Sequence, residues 1–152
     1  HRDLHSFPTR RSSDLQHLAL DKPATCSSAL PGMAASLAND GFIDTANYWG
    51  TDLSQDPAAW WQVDLLEPTK VGRVVVVGYF GDARHYGFTV DGSIDGSTWQ
   101  RLADRRDNTE TATKAGHTCT FDPRPVRYLR VGVTSNSANT GRHLVEVMVH
   151  PQ

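Results

Sequence analysis

The 152-residue sequence carries only two cysteines, Cys26 and Cys119, far apart and in no metal-ligand spacing. A disulfide-dense scaffold is therefore excluded, while one Cys26–Cys119 bridge and two buried free thiols both remain open. Long apolar runs are also missing. The longest, Val74 to Val77, falls far short of the roughly 20 residues a membrane-spanning helix needs. Neither sign of charge dominates: 15 Lys and Arg stand against 17 Asp and Glu, for a formal net charge of -2, and the basic residues are scattered. No footprint for nucleic acid or an anionic membrane results. There is no internal repeat and no amphipathic helical segment of three turns, which favours a sandwich over an open sheet.

What is there starts at Gln16. Residues 1 to 15, "HRDLHSFPTRRSSDL", resemble one translated frame of a short-read sequencing adapter and are excluded from fold reasoning. The His-Arg-Asp-Leu within them imitates a kinase catalytic loop, but the chain has neither the Asp-Phe-Gly nor the Gly-rich loop such an enzyme needs. The reading frame is expected to be a fragment whose true N-terminus, with any signal peptide, is missing. From Gln16 to Gln152 one domain is expected, large enough to bury a core without staples. Its apolar stretches are short, rich in Val, Thr and aromatics, and separated by Gly, Pro, Asp and Asn clusters, the pattern of an all-β chain. Two strands are expected over Trp60 to Leu65 and Val71 to Phe80, joined by a turn at Pro68. Asp95-Gly96 marks a hairpin between Phe88 to Ile94 and Trp99 to Leu102. A strand pair around Phe121 and Tyr128 to Val133 follows. The closing "HLVEVMVH" alternates Leu144, Glu146 and Met148 against Val145, Val147 and Val149. Strands this short and dense favour a two-sheet sandwich ending near His150.

One stretch concentrates oxygen donors: "LANDGFIDTANYWGT", Leu37 to Thr51. Asp40-Gly41 and Asp44-Thr45, flanked by Asn39 and Asn47, are ordinary turn chemistry, because Asx side chains bond their own backbone and Gly takes positive φ. They are also the hard donors a calcium ion takes, drawn from carboxylates and backbone carbonyls. Spacing rules out an EF-hand, so a second carboxylate must come from elsewhere. Glu146 is the candidate, since an unpaired carboxylate buried in that apolar strand would be costly. Alternation equally allows Glu146 to face outward.

Taken in order, "LALDKPATCSS", "LANDGFIDTANYWGT", "WWQVDLLEPTKVGRVVVV", "YGFTVDGSIDGSTW", "VRYLRVGVT" and "HLVEVMVH" resemble the discoidin, or coagulation factor 5/8 type C, superfamily from Leu18 to His150. Family 32 carbohydrate-binding modules and the F-type lectins belong to it, and the fold it implies is an eight-stranded jelly-roll sandwich. The resemblance also implies a calcium ion between the loop and the last strand. Its ligands would be the carbonyls of Leu37, Phe42 and Val145, the carbonyl and hydroxyl of Thr51, and the carboxylates of Asp40 and Glu146. Asp44 and Thr45 would brace the loop from its backbone, and Trp49, Trp60 and Trp61 would pack beneath it.

In sugar-binding members of the superfamily the ligand sits where loops cluster at one end of the sandwich. Sugar hydroxyls suit planar charged donors, and the apolar ring face suits an aromatic platform. On that basis Tyr79, Asp82, Arg84 and His85 of "GYFGDARHYG" and Asn139 and Arg142 of "TSNSANTGRH" are the expected glycan contacts. The fucose-binding pattern is incomplete: the first loop, "GTDLSQDPA", lacks its His, and Tyr79 stands near the place of a second basic residue. Asp107-Asn108-Thr109 resembles a trio in discoidin modules appended to glycoside hydrolases and is equally ordinary turn material. Asp82, Asp104 and Asp107 come with no nucleophile motif, so catalysis is not expected. The expected protein is a calcium-stabilised, non-catalytic module for galactose-type or related glycans. It is expected to be secreted or on a cell surface, within a larger multidomain chain and without a transmembrane segment. An adhesion module binding protein or lipid through apolar loop tips is the alternative, with Phe80 as the one large apolar residue available at the Tyr79 to His85 loop.

Overall fold

The computed structural model describes residues 17–54 and 56–152. The adapter-like residues and the expected domain start at Gln16 lie outside the described residues. Eight strands run in the order β1 (Ala24–Cys26), β2 (Trp49–Asp52), β3 (Trp60–Val77), β4 (Tyr86–Ser93), β5 (Gln100–Arg105), β6 (His117–Asn136), β7 (Gly141–Leu144) and β8 (Glu146–His150). A 3₁₀ turn, Ala35–Ala38, precedes the Asp40 loop. All pairings are antiparallel: β1-β3-β6-β4-β5 form one path, β8 joins β3, and β2 pairs with β7 as a second sheet. The architecture is the two-sheet jelly roll that the sequence predicts.

The predicted turn at Pro68 is instead a bulge, and β3 passes through it. Asp64 Oδ1 accepts the Leu66 N–H at 2.8 Å, Leu66 takes a φ of 77°, and pairing with β6 jumps from Asp64 to Thr69. The extra residues are looped out while the strand keeps its direction, so neither partner has to reverse. β6 therefore also runs unbroken, and the strand pair expected around Phe121 and Tyr128 is one strand of twenty residues. Beyond the bulge β3 loses its alternation. Val74 and Val76 face the main core with Trp61, Val63, Leu65 and Leu129, whereas Val75 and Val77 face a second cluster of Ile43, Val145 and Met148. A strand covered on both sides needs a continuous apolar run, which the four valines supply.

The closing strand departs from strict alternation at Val145. Its N–H donates to Val77 O at 2.7 Å, between the end of β7 and the start of β8. Leu144 thereby shares the main core with Val147 and Val149, and Val145 joins Met148 on the other side. Glu146 is 0% exposed, so it does not face outward. The two cysteines are free thiols, Cys119 buried and Cys26 partly so, which decides between the two readings of the pair. No helix among the described residues is long and apolar enough to cross a membrane.

Candidate functional site

The Asp40 loop enters from the 3₁₀ turn and leaves through β2, and its oxygen donors converge around one amide. Asn47 Nδ2 donates to Asp40 Oδ2 at 2.9 Å and to the Leu37 carbonyl at 3.3 Å. Asp40 Oδ1 accepts the Phe42 N–H at 3.1 Å. Gly41, at a φ of 82° that a side chain rarely adopts, turns its N–H onto Glu146 Oε2 at 2.7 Å. The carboxylates of Glu146 and Asp40 thus take the successive N–H groups of Gly41 and Phe42. Burial is the largest influence on Asp40 and pushes its pKa up, partly offset by the Asn47 and Phe42 bonds. His17 Nε2 lies 3.6 Å from Glu146 Oε2.

These residues fit a hard cation. Two carboxylates and the Leu37, Phe42 and Val145 carbonyls are oxygen donors of the type calcium takes, and a half-buried Asp40 is the kind of group a cation relieves. No group of three or more His, Cys, Asp or Glu side chains with metal-holding geometry occurs among the described residues, so carbonyls would have to supply much of the ligand shell. Thr51 is buried on β2, where its hydroxyl bonds Ser28 Oγ at 2.6 Å, and Ser28 in turn donates to Asp56 at 2.7 Å. The bracing expected of Asp44 is present, since its Oδ1 accepts the Ala46 N–H at 2.7 Å. Asn47, rather than Thr45, links the loop internally. Trp49 and Trp61 are fully buried and anchor the region through Nε1 bonds to Ser28 O at 3.0 Å and Ala35 O at 2.9 Å. Trp60 does not join them: it lies on the outward parity of β3, half-exposed.

At the loops expected to hold sugar, Arg84 is the organising residue. Its Nε and Nη2 bond the two Asp82 oxygens at 2.6 Å each, and its guanidinium lies 4.8 Å from the Tyr79 ring centroid. The fork-to-fork pair fixes the plane of the guanidinium. It also drives the Asp82 pKa down and the Arg84 pKa up. Tyr48 and His143 complete an aromatic cluster that the sequence reading missed. Tyr48 meets Tyr79 at 5.9 Å and His143 at 5.3 Å, and the Tyr86 hydroxyl bonds His143 Nδ1 at 2.7 Å. Glycine makes room for the imidazole: a Cβ on Gly141 would stand 2.5 Å from His143 Cε1, and one on Gly50 would stand 3.0 Å from Cδ2.

The remaining expected contacts hold their loops in place. Arg142 is 6% exposed and spends its guanidinium on the carbonyls of Thr140, Gly141 and Thr134. Asn139 Oδ1 accepts the Gly141 N–H at 2.8 Å and Asn136 Nδ2 at 3.0 Å. His85 ties the two loops together: its N–H donates to Ser137 Oγ at 2.9 Å, and its carbonyl accepts the Ser137 N–H at 3.0 Å. Phe80 is partly buried and packs against both apolar clusters.

Burial lowers the His143 pKa from 6.5 to about 4, with the Arg84 and Arg142 charges adding to the effect. The unfolded chain binds the proton first as pH falls, so the stability due to neutral His143 is complete above pH 6.5 and is lost as pH drops toward about 4. His143→Gln is expected to flatten that part of the profile, as read from melting temperatures of both proteins across this range.

The sequence matches the F5/8 type C domain over residues 23–147. The chain belongs to the F5/8 type C domain family. Human BTB/POZ domain-containing protein 9 is 30% identical over 128 residues, 80% of this chain but 20% of that protein. The chain therefore spans about a fifth of the length of the curated relatives it matches. Among solved structures, chitosan-binding module 1 from a chitosanase/glucanase of Paenibacillus sp. IK-5 superposes with a TM-score of 0.70 at 29% identity, covering 88% of this chain and 96% of that one. The CBM32 of AlyQ, in complex with 4,5-unsaturated mannuronic acid, superposes with a TM-score of 0.73 at 23% identity, covering 86% and 95%. The second likeness speaks for the fold alone.

Proposed function

We propose that this F5/8 type C domain is a non-catalytic glycan-binding module stabilised by calcium. The observation that carries the reading is the Asp82–Arg84 fork laid against Tyr79, beside Tyr48 and His143. It combines a planar cation fixed in direction, a half-exposed carboxylate, and aromatic rings at one end of the sandwich. Sugar hydroxyls can bond the charged pair while the apolar face of the ring packs on a tyrosine. The solved likeness to a chitosan-binding module supports a sugar as the ligand class, and a galactose-type or related sugar is the first to try. Asp40, Glu146 and the Leu37, Phe42, Thr51 and Val145 oxygens are the calcium ligands of this reading, with the ion holding the loop that carries Tyr48. Tyr79, Asp82, Arg84, His85, Asn139 and Arg142 remain the glycan residues. The first four offer direct contact, while Asn139 and Arg142 shape the neighbouring loop. A secreted or cell-surface setting, within a longer chain that includes an enzyme or another surface domain, completes the proposal.

Glycan-array screening followed by calorimetry on the best galactoside tests it. Arg84→Gln is expected to weaken binding about tenfold, the worth of one charge-assisted bond. An array silent toward every sugar, with the protein folded and calcium present, sinks the reading.

A further inference from the structure

The outward face of the larger sheet carries a second chemistry that shares no residue with the Tyr79–Arg84 cluster. A row of paired residues crosses it from β1 to β5: Thr25, Gln62, Arg130, Asp91 and Arg101. Two of the cations on this face are matched by carboxylates. Arg101 Nε bonds Asp91 at 2.6 Å, and Arg127 Nε bonds Asp64 at 3.0 Å. Arg130 is not matched. Its Nε and Nη2 both donate to the neutral Gln62 Oε1, at 3.0 and 2.7 Å, and its Nη1 makes no hydrogen bond among the described residues. Asp91 is its neighbour in the row, yet that carboxylate is taken by Arg101.

Two indoles hold this guanidinium. Its central carbon lies 4.0 Å from the Trp60 ring centroid and 4.4 Å from that of Trp99, which reaches in from the β4–β5 loop. The rings desolvate the cation, and the unbonded Nη1 is left as the place for a partner. Burial accordingly pushes the Arg130 pKa down. The indole faces and the nearby Asp91 charge offset part of the cost of burial, but no carboxylate among the described residues is hydrogen-bonded to this guanidinium. The complement is an anion with two oxygens in one plane.

We propose that Arg130, braced by Trp60, Trp99 and Gln62, is a second glycan site that takes the carboxylate of a uronic-acid polysaccharide on the face of the sheet. The choice of a sugar over other carboxylates rests on the glycan-binding reading above and on two features of the face. The indoles remain half-exposed beside the cation, which suits the apolar side of a pyranose ring. The site also lies in the middle of a sheet, where no strand edge is open for an acidic peptide to pair with.

Affinity electrophoresis of the folded chain through gels containing polygalacturonate, neutral galactan or poly-L-glutamate tests the assignment, with Trp99→Ala and Arg130→Gln as variants. Trp99 sits outside the strands, so its variant keeps the sheet intact, and circular dichroism melts check both. Polygalacturonate should retard the wild type, and each variant should weaken that retardation about tenfold. Binding to neutral galactan should stay unchanged in both variants. Retention should also weaken as salt is raised. Polygalacturonate that fails to retard the wild type, or retards Trp99→Ala equally, overturns the inference and leaves the loop site standing. Poly-L-glutamate retarded with the same dependence on Trp99 overturns the glycan class. Failure of galactan alone counts against the loop site only.

Discussion

Free calcium at about a hundred times its dissociation constant is expected to stabilise the folded chain by about 2.7 kcal/mol, because an ion that binds only the native state adds its saturation free energy to stability. Chelator should remove that increment in a melt, and Glu146→Gln should all but abolish it. The variant is informative because the amide keeps the shape of the side chain and still offers an oxygen to the Gly41 N–H now held at 2.7 Å, while removing the charge. Loss of the calcium increment then reports charge rather than packing. Asp44→Asn is the control: Asp44 is exposed, caps the Ala46 N–H and supplies no proposed ligand, so the increment should survive. The pH dependence has a defined sign as well. Burial raises the Asp40 pKa, so acidification protonates Asp40 earlier than an exposed carboxylate, and calcium affinity should weaken on the acid side. Melting temperatures indifferent to both calcium and chelator would remove the ion from the account and leave the Asp40–Asn47–Leu37 bonds as a closed turn.

The parts of this molecule that could be read in its sequence are those decided locally. The alternation of Trp61, Val63 and Leu65 against Trp60, Gln62 and Asp64 sets which side of β3 is buried, since successive strand residues point to opposite faces. The Asp95-Gly96 turn could be read too, because Asp95 caps the Ser97 and Thr98 N–H groups and Gly96 takes a φ of 78°. Other features depend on partners distant in the chain. Nothing in "HLVEVMVH" marks the break at Val145, because it is set by where the Val77 carbonyl lies. Pro68 reads as a reversal, and only the Asp64–Leu66 bond together with uninterrupted pairing to β6 shows that the chain continues. Tyr48 and His143 escaped notice for the same reason: one leaves the Asp40 loop, the other sits on β7, and only the β2–β7 ladder brings their rings together. The glycines at 50 and 141 were the available signal, since bare backbone in short strands marks a close approach.

Trp49→Ala is expected to cost about 4 kcal/mol in chemical denaturation, a large share of the stability of a domain this size. Trp49 is 0% exposed, and its indole both fills the main core and donates to Ser28 O at 3.0 Å. Truncation opens a cavity and also removes the bond to that partly buried carbonyl. Trp49→Phe separates the two effects: most of the ring volume stays and the N–H is lost, so a cost of about 1–2 kcal/mol should remain. Trp60→Ala is the comparison that decides the matter. The sequence treats Trp49, Trp60 and Trp61 alike, yet Trp60 lies half-exposed on the outer face, where its main contact is the Arg130 guanidinium at 4.0 Å. Its removal forfeits a cation–π contact and less buried area than Trp49 gives up, so its cost should be the smaller of the two. The two variants should therefore diverge in function as well as in stability. Trp49→Ala loosens β2 beneath Tyr48 and Thr51, so it should weaken calcium and loop-site binding together. Trp60→Ala should leave both intact and disturb only the sheet face. Equal costs for the two would mean that Trp60 is as well packed on the outer face as Trp49 is in the core.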